Sequence, residues 1–227
     1  MISVARTELF KQLKTFKALV IVAIFIIVSY SASNFFKSNE SLLGFKNNTA
    51  FYSSIRLLVI LFGYIFVSTI SYNCINNEIE LKTIRLVINK ISRTEFIIGK
   101  LLGISAFWFL CLTVSFSVVS AIAGTFSLSI YLLIIVAMFY FICLVIFLST
   151  IVEKQSVSNF LGIIVGLLMP TLGLWSTLSN SNIIFRVIRY IFPYYYMLKE
   201  GPYLLIPAII GVLFILMSLK VFIGKDL

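Results

Sequence analysis

The sequence has no histidine. Imidazole acid–base catalysis and imidazole metal ligation are therefore excluded, zinc helices built on His and Glu included. Cysteine is scarce. Cys74, Cys111 and Cys143 are far apart, and an odd number does not close a disulfide set. Each lies in an apolar stretch, where a thiol is a small packing group. Charged residues make up 11% of the chain, against about 25% in soluble domains. Acidic groups are the fewest, 8 against 18 Lys and Arg. None sits at the centre of an apolar run, so a relay of buried carboxylates coupled to protons or sodium has no candidate. Glu8, Glu153 and Glu200 read as solvated flanks of apolar runs. A phosphate loop is also missing: Thr94 stands where a glycine is required upstream of Gly99-Lys100, and Leu101 follows. The chain is thus expected to be no enzyme, with no catalytic, cofactor-binding or metal-binding residues. Energy for any transport has to come from another subunit.

What is abundant is apolar surface. Hydrophobic residues are 61% of the 227, more than a soluble fold of this length can bury. A helical span needs about 20 apolar residues. Six runs qualify, at 18–36, 55–77, 101–123, 129–151, 157–178 and 203–223. Residues 1–227 therefore read as a single transmembrane domain, all-α and polytopic, with little chain left for a soluble catalytic domain.

The net charge is +10. On a soluble chain this would suggest nucleic acid. Here the positive-inside rule accounts for it, and no nucleic-acid partner is expected. Arg6, Lys11, Lys14, Lys17, Lys82, Arg85, Lys90, Arg93, Lys100, Lys154, Lys220 and Lys225 fall on one side of a six-span arrangement. Lys37, Lys46, Arg56, Arg186, Arg189 and Lys199 fall on the other. The asymmetry places both termini in the cytoplasm of a multi-pass cell-membrane protein.

Residues 2–17 have Ala5, Leu9, Leu13 and Phe16 at helical spacing, with Lys11, Lys14 and Lys17 away from that face. This is the pattern of an amphipathic helix on the membrane surface; a plain basic flank to the first span is the alternative. The second span ends in the polar run Ser71-Tyr72-Asn73-Cys74-Ile75-Asn76-Asn77-Glu78 and is expected to leave the membrane still helical. Glu78 and Lys82 are spaced i,i+4 with the acid first, the favourable order. Asn89-Lys90 reads as a break. Ser92-Arg93-Thr94-Glu95 fits a capping box, and Ile91 and Phe96 occupy the positions of a hydrophobic staple. A new helix is therefore expected near Arg93, entering the membrane after Lys100.

Further on, Gly124 to Ser127 predicts a tight hairpin between the third and fourth spans. Gly162 and Gly166 have the small-xxx-small spacing that lets two helices approach closely, either within one subunit or at a dimer interface. Pro170 and Gly173 predict a kink or break in the same span. In residues 177–202, Ile183, Ile184, Val187, Ile188 and Ile191 are apolar at helical spacing with Arg186 and Arg189 between them. Pro193-Tyr194-Tyr195-Tyr196 then supplies aromatics suited to the headgroup layer. A short interfacial or re-entrant helix on the outer face is expected, with Arg186, Arg189, Tyr194 and Tyr195 as outer-gate candidates or as an ordinary aromatic anchor.

The segment Glu78-Ile79-Glu80-Leu81-Lys82-Thr83-Ile84-Arg85-Leu86, followed by Ile91-Ser92-Arg93-Thr94-Glu95-Phe96-Ile97-Ile98-Gly99-Lys100-Leu101-Leu102, resembles the region between the second and third spans of type 2 permeases of ATP-binding cassette transporters. Members typically read Glu-x-Glu-x-Gly-Thr, then a Pro-Ile-Ser-Arg-like turn and a Gly-Lys. Lys82 stands where they often have Gly, and Lys90 where they often have Pro. Phe222-Ile223-Gly224-Lys225-Asp226-Leu227 is similar to their Phe-x-x-x-Asp ending. The resemblance implies a surface helix, six spans, a cytoplasmic coupling helix between spans two and three, and an outer helical hairpin before span six. It implies an exporter subunit that pairs with a second permease copy or a close relative and binds ABC-type ATPase subunits, which hold the ATP and Mg. Glu78, Ile79, Glu80, Lys82, Thr83, Arg85, Leu86 and Arg93 would be its ATPase-coupling residues. The apolar spans suit an apolar or amphipathic cargo such as a peptide, a drug or a lipid-like molecule. Apart from the resemblance, a non-transporting membrane protein also fits: a small channel, an assembly factor or an immunity protein.

The charge asymmetry is checked by labelling single introduced cysteines from outside intact cells. Asn47→Cys is expected to react and Asn89→Cys to be protected; the opposite pattern inverts the topology.

Overall fold

The computed structural model describes residues 1–38, 49–84, 90–178, 183–199, 203 and 205–225. Every regular element among them is a helix. In chain order they are α1 (Ile2–Leu13), α2 (Phe16–Ser38), α3 (Thr49–Ser71), α4 (Asn76–Glu80), α5 (Arg93–Ala123), α6 (Leu128–Ile151), α7 (Gln155–Leu178), α8 (Ile183–Ile188), α9 (Pro193–Lys199) and α10 (Leu205–Ile223). Six stretches, beginning in α2, α3, α5, α6, α7 and α10, are long and apolar enough to cross a bilayer. The chain is a multi-pass membrane protein.

α6 is the centre of the bundle. It is the most apolar span and the most enclosed. α10, α3 and α5 pack around it, and α2 lies outside α3 and α5. Aromatic contacts fill the layers between helices. Phe25 meets Trp108 edge-on, Tyr64 meets Phe141, and Tyr140 meets Phe214, with ring centroids 5.6–6.1 Å apart.

The capping box sets the start of α5 as its sequence requires. The Ser92 hydroxyl accepts from the Glu95 amide at 3.2 Å, and the Glu95 carboxylate accepts from the Ser92 amide at 3.1 Å. The helix then runs 31 residues without a break. At 1.5 Å per residue it is about 46 Å long, against about 30 Å of hydrocarbon, so its first turns stand clear of the lipid core. It ends at Gly124, whose φ of 70° is the left-handed conformation that stops a helix, and α6 follows four residues later.

Three sequence expectations are corrected. The second span does not leave the membrane as one helix: α3 stops at Ser71, residues 72–75 turn, and α4 begins afresh. Side chains of other helices satisfy the interrupted backbone. Ser149 of α6 accepts from the amides of Ile75 and Asn76 at 3.2 and 3.4 Å, and Ser158 of α7 donates to the Tyr72 carbonyl at 2.8 Å. Secondly, of the kink or break expected at Pro170, the break is absent: α7 stays helical from Gln155 to Leu178. The Thr171 hydroxyl donates to the carbonyls of Leu167 and Leu168 at 2.9 and 3.0 Å, holding the turn that proline loosens. Thirdly, Gly162 and Gly166, offered as a dimer face or as a packing face within one subunit, serve the second: they are buried within the chain against α3. Any Cβ at Gly162 would collide with the Ser68 hydroxyl, and one at Gly166 would come within 2.8 Å of Ile65. The side of α7 that faces away carries Phe160, Ile163, Leu167 and Trp175, all exposed.

Residues 183–199 form two short helices. Tyr194, buried to 1% exposure, seats its ring on Gly173 of α7 and fixes α9 to the bundle. The Tyr196 hydroxyl donates to the Tyr190 carbonyl at 2.9 Å, closing the hairpin.

Gly162→Leu is expected to strain the α3–α7 contact by about 1–3 kcal/mol and to lower the melting temperature of the single chain in detergent. An unchanged melting temperature would show that α7 packs elsewhere.

Candidate functional site: the polar end of the bundle

α1, the α3–α4 turn, the start of α5, the α6–α7 loop and the end of α10 meet at one end of the bundle. At their centre is Lys100. Its side chain is 4% exposed, and its ammonium bonds Glu8 of α1 at 2.7 Å and Glu78 of α4 at 2.5 Å. The Phe96 ring lies 5.3 Å from the same nitrogen. A buried ammonium is tolerable only with anions at contact distance, and two are provided. Glu8 is itself 4% exposed. The expectation that it is a solvated flank is overturned, because it supplies the anion that Lys100 needs.

α1 reaches this position because α5 has glycines where the two backbones come closest. Gly99 and Gly103 are one helical turn apart and lie under Val4, Ala5 and Glu8. A Cβ at Gly99 would sit 2.7 Å from Val4 Cβ, and one at Gly103 would sit 2.6 Å from the Ala5 carbonyl oxygen. The face of α1 turned inward is thus polar and small. Gln12, also buried, donates to the Ser71 hydroxyl at 3.2 Å. Leu13, placed by sequence on the apolar face, is exposed beside Phe10, and Phe16 belongs to α2.

α4 is locked from three sides. Asn76 is fully buried, and its side-chain oxygen accepts from Ser149 at 3.4 Å. Gln155 of α7 donates its side-chain amide to Asn77 at 2.6 Å and its backbone amide to Glu80 at 2.9 Å. Ile79 turns inward against the core. Beyond Glu80 the helix stops. Leu81 caps it, and Lys82 enters the left-handed region at φ 55°. The continuous helix expected from Glu78 onward, with its Glu78–Lys82 pair, is therefore replaced by a helix that ends in a tight turn. Glu78 has been drawn to Lys100, and the backbone reverses at Lys82. Leu81, 61% exposed, stands at the tip with Glu80, Lys82 and Thr83 exposed beside it, and the chain then re-enters at Ile84, which is buried.

Arg93 is held inside the chain. Its guanidinium donates to the carbonyls of Phe222, Ile223 and Lys225 at 3.2, 2.7 and 2.8 Å, capping the open end of α10. Phe96 stacks on Phe222 with centroids 5.6 Å apart. Lys225 reaches Glu153 in the α6–α7 loop at 3.5 Å.

Of the eight residues placed by sequence in an ATPase-coupling site, six are described. Glu78, Ile79 and Arg93 make internal contacts, and Glu80, Lys82 and Thr83 lie at the exposed tip. Arg85 and Leu86 lie outside the described residues. The four outer-gate candidates are at the opposite end and differ in environment. Tyr194 is a buried anchor, Arg186 is exposed, and the Arg189 guanidinium lies 4.9 Å from the Tyr190 ring centroid and 5.1 Å from that of Tyr195. Sequence reasoning missed Glu8, Gln12, Asn76 and Ser149 as partners in the polar layer, and Lys100 as its centre. Two signals were present: the Gly99-x-x-x-Gly103 spacing, and an acid and an amide four residues apart on an otherwise basic helix.

Among the described residues no group of His, Cys, Asp and Glu could hold a metal, and the three cysteines are free and buried. No family model matches the chain, and no curated protein is significantly similar to it.

Lys100→Met strands two carboxylates in the bundle and is expected to cost about 3–5 kcal/mol. Glu78→Gln, at the wetter partner, should cost less. Combining Lys100→Met with Glu8→Gln should cost less than the sum of the two single losses. Thermal unfolding followed by size exclusion measures all of these; strict additivity would mean that the residues do not act as a cluster.

Proposed function

We propose that this chain is the membrane-spanning permease subunit of an ATP-binding cassette exporter. In this reading the polar end of the bundle faces the cytoplasm, α1 lies on the membrane surface, and the tip at Glu80–Thr83 docks on a separate ATPase subunit. The permease works with a second copy or a close relative. ATP and Mg belong to the ATPase, and the cargo is an apolar or amphipathic molecule.

The supporting observation is the mechanical character of the tip. An exposed leucine ringed by charged and polar groups suits a groove on a soluble protein, where Leu81 would be the buried anchor and Glu80, Lys82 and Thr83 the polar rim. The base of that tip is tied through Lys100, Ser149 and Gln155 to α1, α5, α6 and α7. A push on the tip is therefore delivered to most of the bundle at once. The left-handed backbone at Lys82 also bears on the resemblance, since glycine, which the similar segments often have there, is the residue that conformation favours. The apolar anchor in this reading is Leu81, since Ile79 is turned inward.

Leu81→Asp is expected to leave insertion intact and to weaken copurification of the ATPase by about tenfold or more. Glu80→Lys combined with Arg85→Glu should lower both copurification and substrate-stimulated ATP hydrolysis. Full ATPase binding and full export in both variants would reduce the segment to a topological anchor.

A further inference from the structure

We propose that the outward side of α1 is a binding site for the phosphate of an anionic phospholipid headgroup. It rests on α1 lying at the membrane surface, as proposed above, and is independent of the transport reading. Ala5 and Glu8 turn towards α5 and Gln12 towards Ser71 of α3, so the opposite helix surface is left facing outward. That surface has two parts. Ile2, Phe10 and Leu13 are exposed apolar residues along one flank. Arg6, Lys11 and Lys14 are exposed and, with Thr7 and Phe10, line an open depression of about 470 Å³.

The three cations have no carboxylate partner among the ion pairs of the described residues, whereas Lys100 has two and Lys225 has one. The Arg6 guanidinium is held over the Phe10 ring at 5.7 Å, which leaves its N–H fork free for a phosphate oxygen. Three cations around one depression next to an apolar flank match a lipid: phosphate at the depression, acyl chains beside Phe10 and Leu13. An acidic protein segment would satisfy the charges but would leave Phe10 and Leu13 without an apolar medium. α2 begins three residues after α1 ends, so the depression is kept beside the first span and close to the headgroup layer.

The full chain is placed in nanodiscs of equal parts phosphatidylcholine and phosphatidylglycerol, and the lipids that stay bound on release are counted by native mass spectrometry. Retention of phosphatidylglycerol is expected to fall about tenfold or more in the Arg6→Gln/Lys11→Gln/Lys14→Gln variant, and to be unchanged in Lys154→Gln/Lys220→Gln. Wild-type retention should fall as salt is raised from about 0.05 to 0.5 M, and an excess of inorganic phosphate should displace little lipid. The wild-type measurements stand even if the triple variant does not fold. Equal retention of both lipids by the wild type, or unchanged phosphatidylglycerol retention in a folded triple variant, overturns the site. So does complete displacement by inorganic phosphate, which would indicate a free-phosphate site. Loss of an acidic protein partner with lipid retention unchanged overturns it as well. A nitroxide at Leu13→Cys separates the underlying reading: relaxation by oxygen and by a water-soluble nickel chelate should both place it at the interface. A label in bulk water removes the surface helix itself, and an interfacial label with unchanged lipid retention removes only the headgroup site.

Discussion

An ammonium group sealed from water has to be met by anions, and almost everything at the polar end of this bundle follows from meeting that need at Lys100. Glu8 comes from the first helix and Glu78 from the short fourth one, so one lysine joins three segments that are distant in the chain. Small residues make this possible. Without side chains at Gly99 and Gly103, α1 lies close enough for its carboxylate to reach. The ion pair and the close packing are two parts of a single contact, because either one without the other would leave a charge buried and unpaired.

Away from Lys100 the same economy recurs. Backbone groups left over where a helix breaks or ends are taken up by side chains of other helices: Ser149 at the start of α4, Ser158 at Tyr72, Arg93 at the end of α10. In lipid an unsatisfied peptide group costs several kcal/mol, so irregular backbone is found where protein covers it. The turn between α3 and α4 is irregular and is packed on by α6 and α7. These bonds make the tip at Leu81 a stiff extension of the bundle.

How much of this could be read from the sequence depended on how far apart the partners are. The capping box at Ser92 and Glu95 spans three residues, and it located the start of α5 without reference to anything else. Run length and apolarity marked six stretches, and the structure has six helical stretches long and apolar enough to cross a bilayer. The break in the second span was illegible because its hydrogen-bond partners are 74 and 86 residues away. Gly162 and Gly166 announced a close helix approach but not whose helix, and the structure gives them α3. Glu8 looked like a flank because its partner is 92 residues further on. At the candidate site, sequence marked the segment and its charges. It did not show that Glu78 and Arg93 are used internally or that Leu81 is an apolar residue left exposed.

The contact between Glu8 and Lys100 also has a consequence for biogenesis. Glu8 is made 92 residues before Lys100, so its partner does not exist until α2 and α3 have been synthesised and α5 has begun. During that interval the carboxylate and its helix must wait in water or at the lipid surface. Arg93 waits in the same way, since it is made long before the α10 carbonyls that it caps. The polar end can therefore close only after α10 has been threaded, so the completed contact records that the spans from α2 to α10 have been inserted.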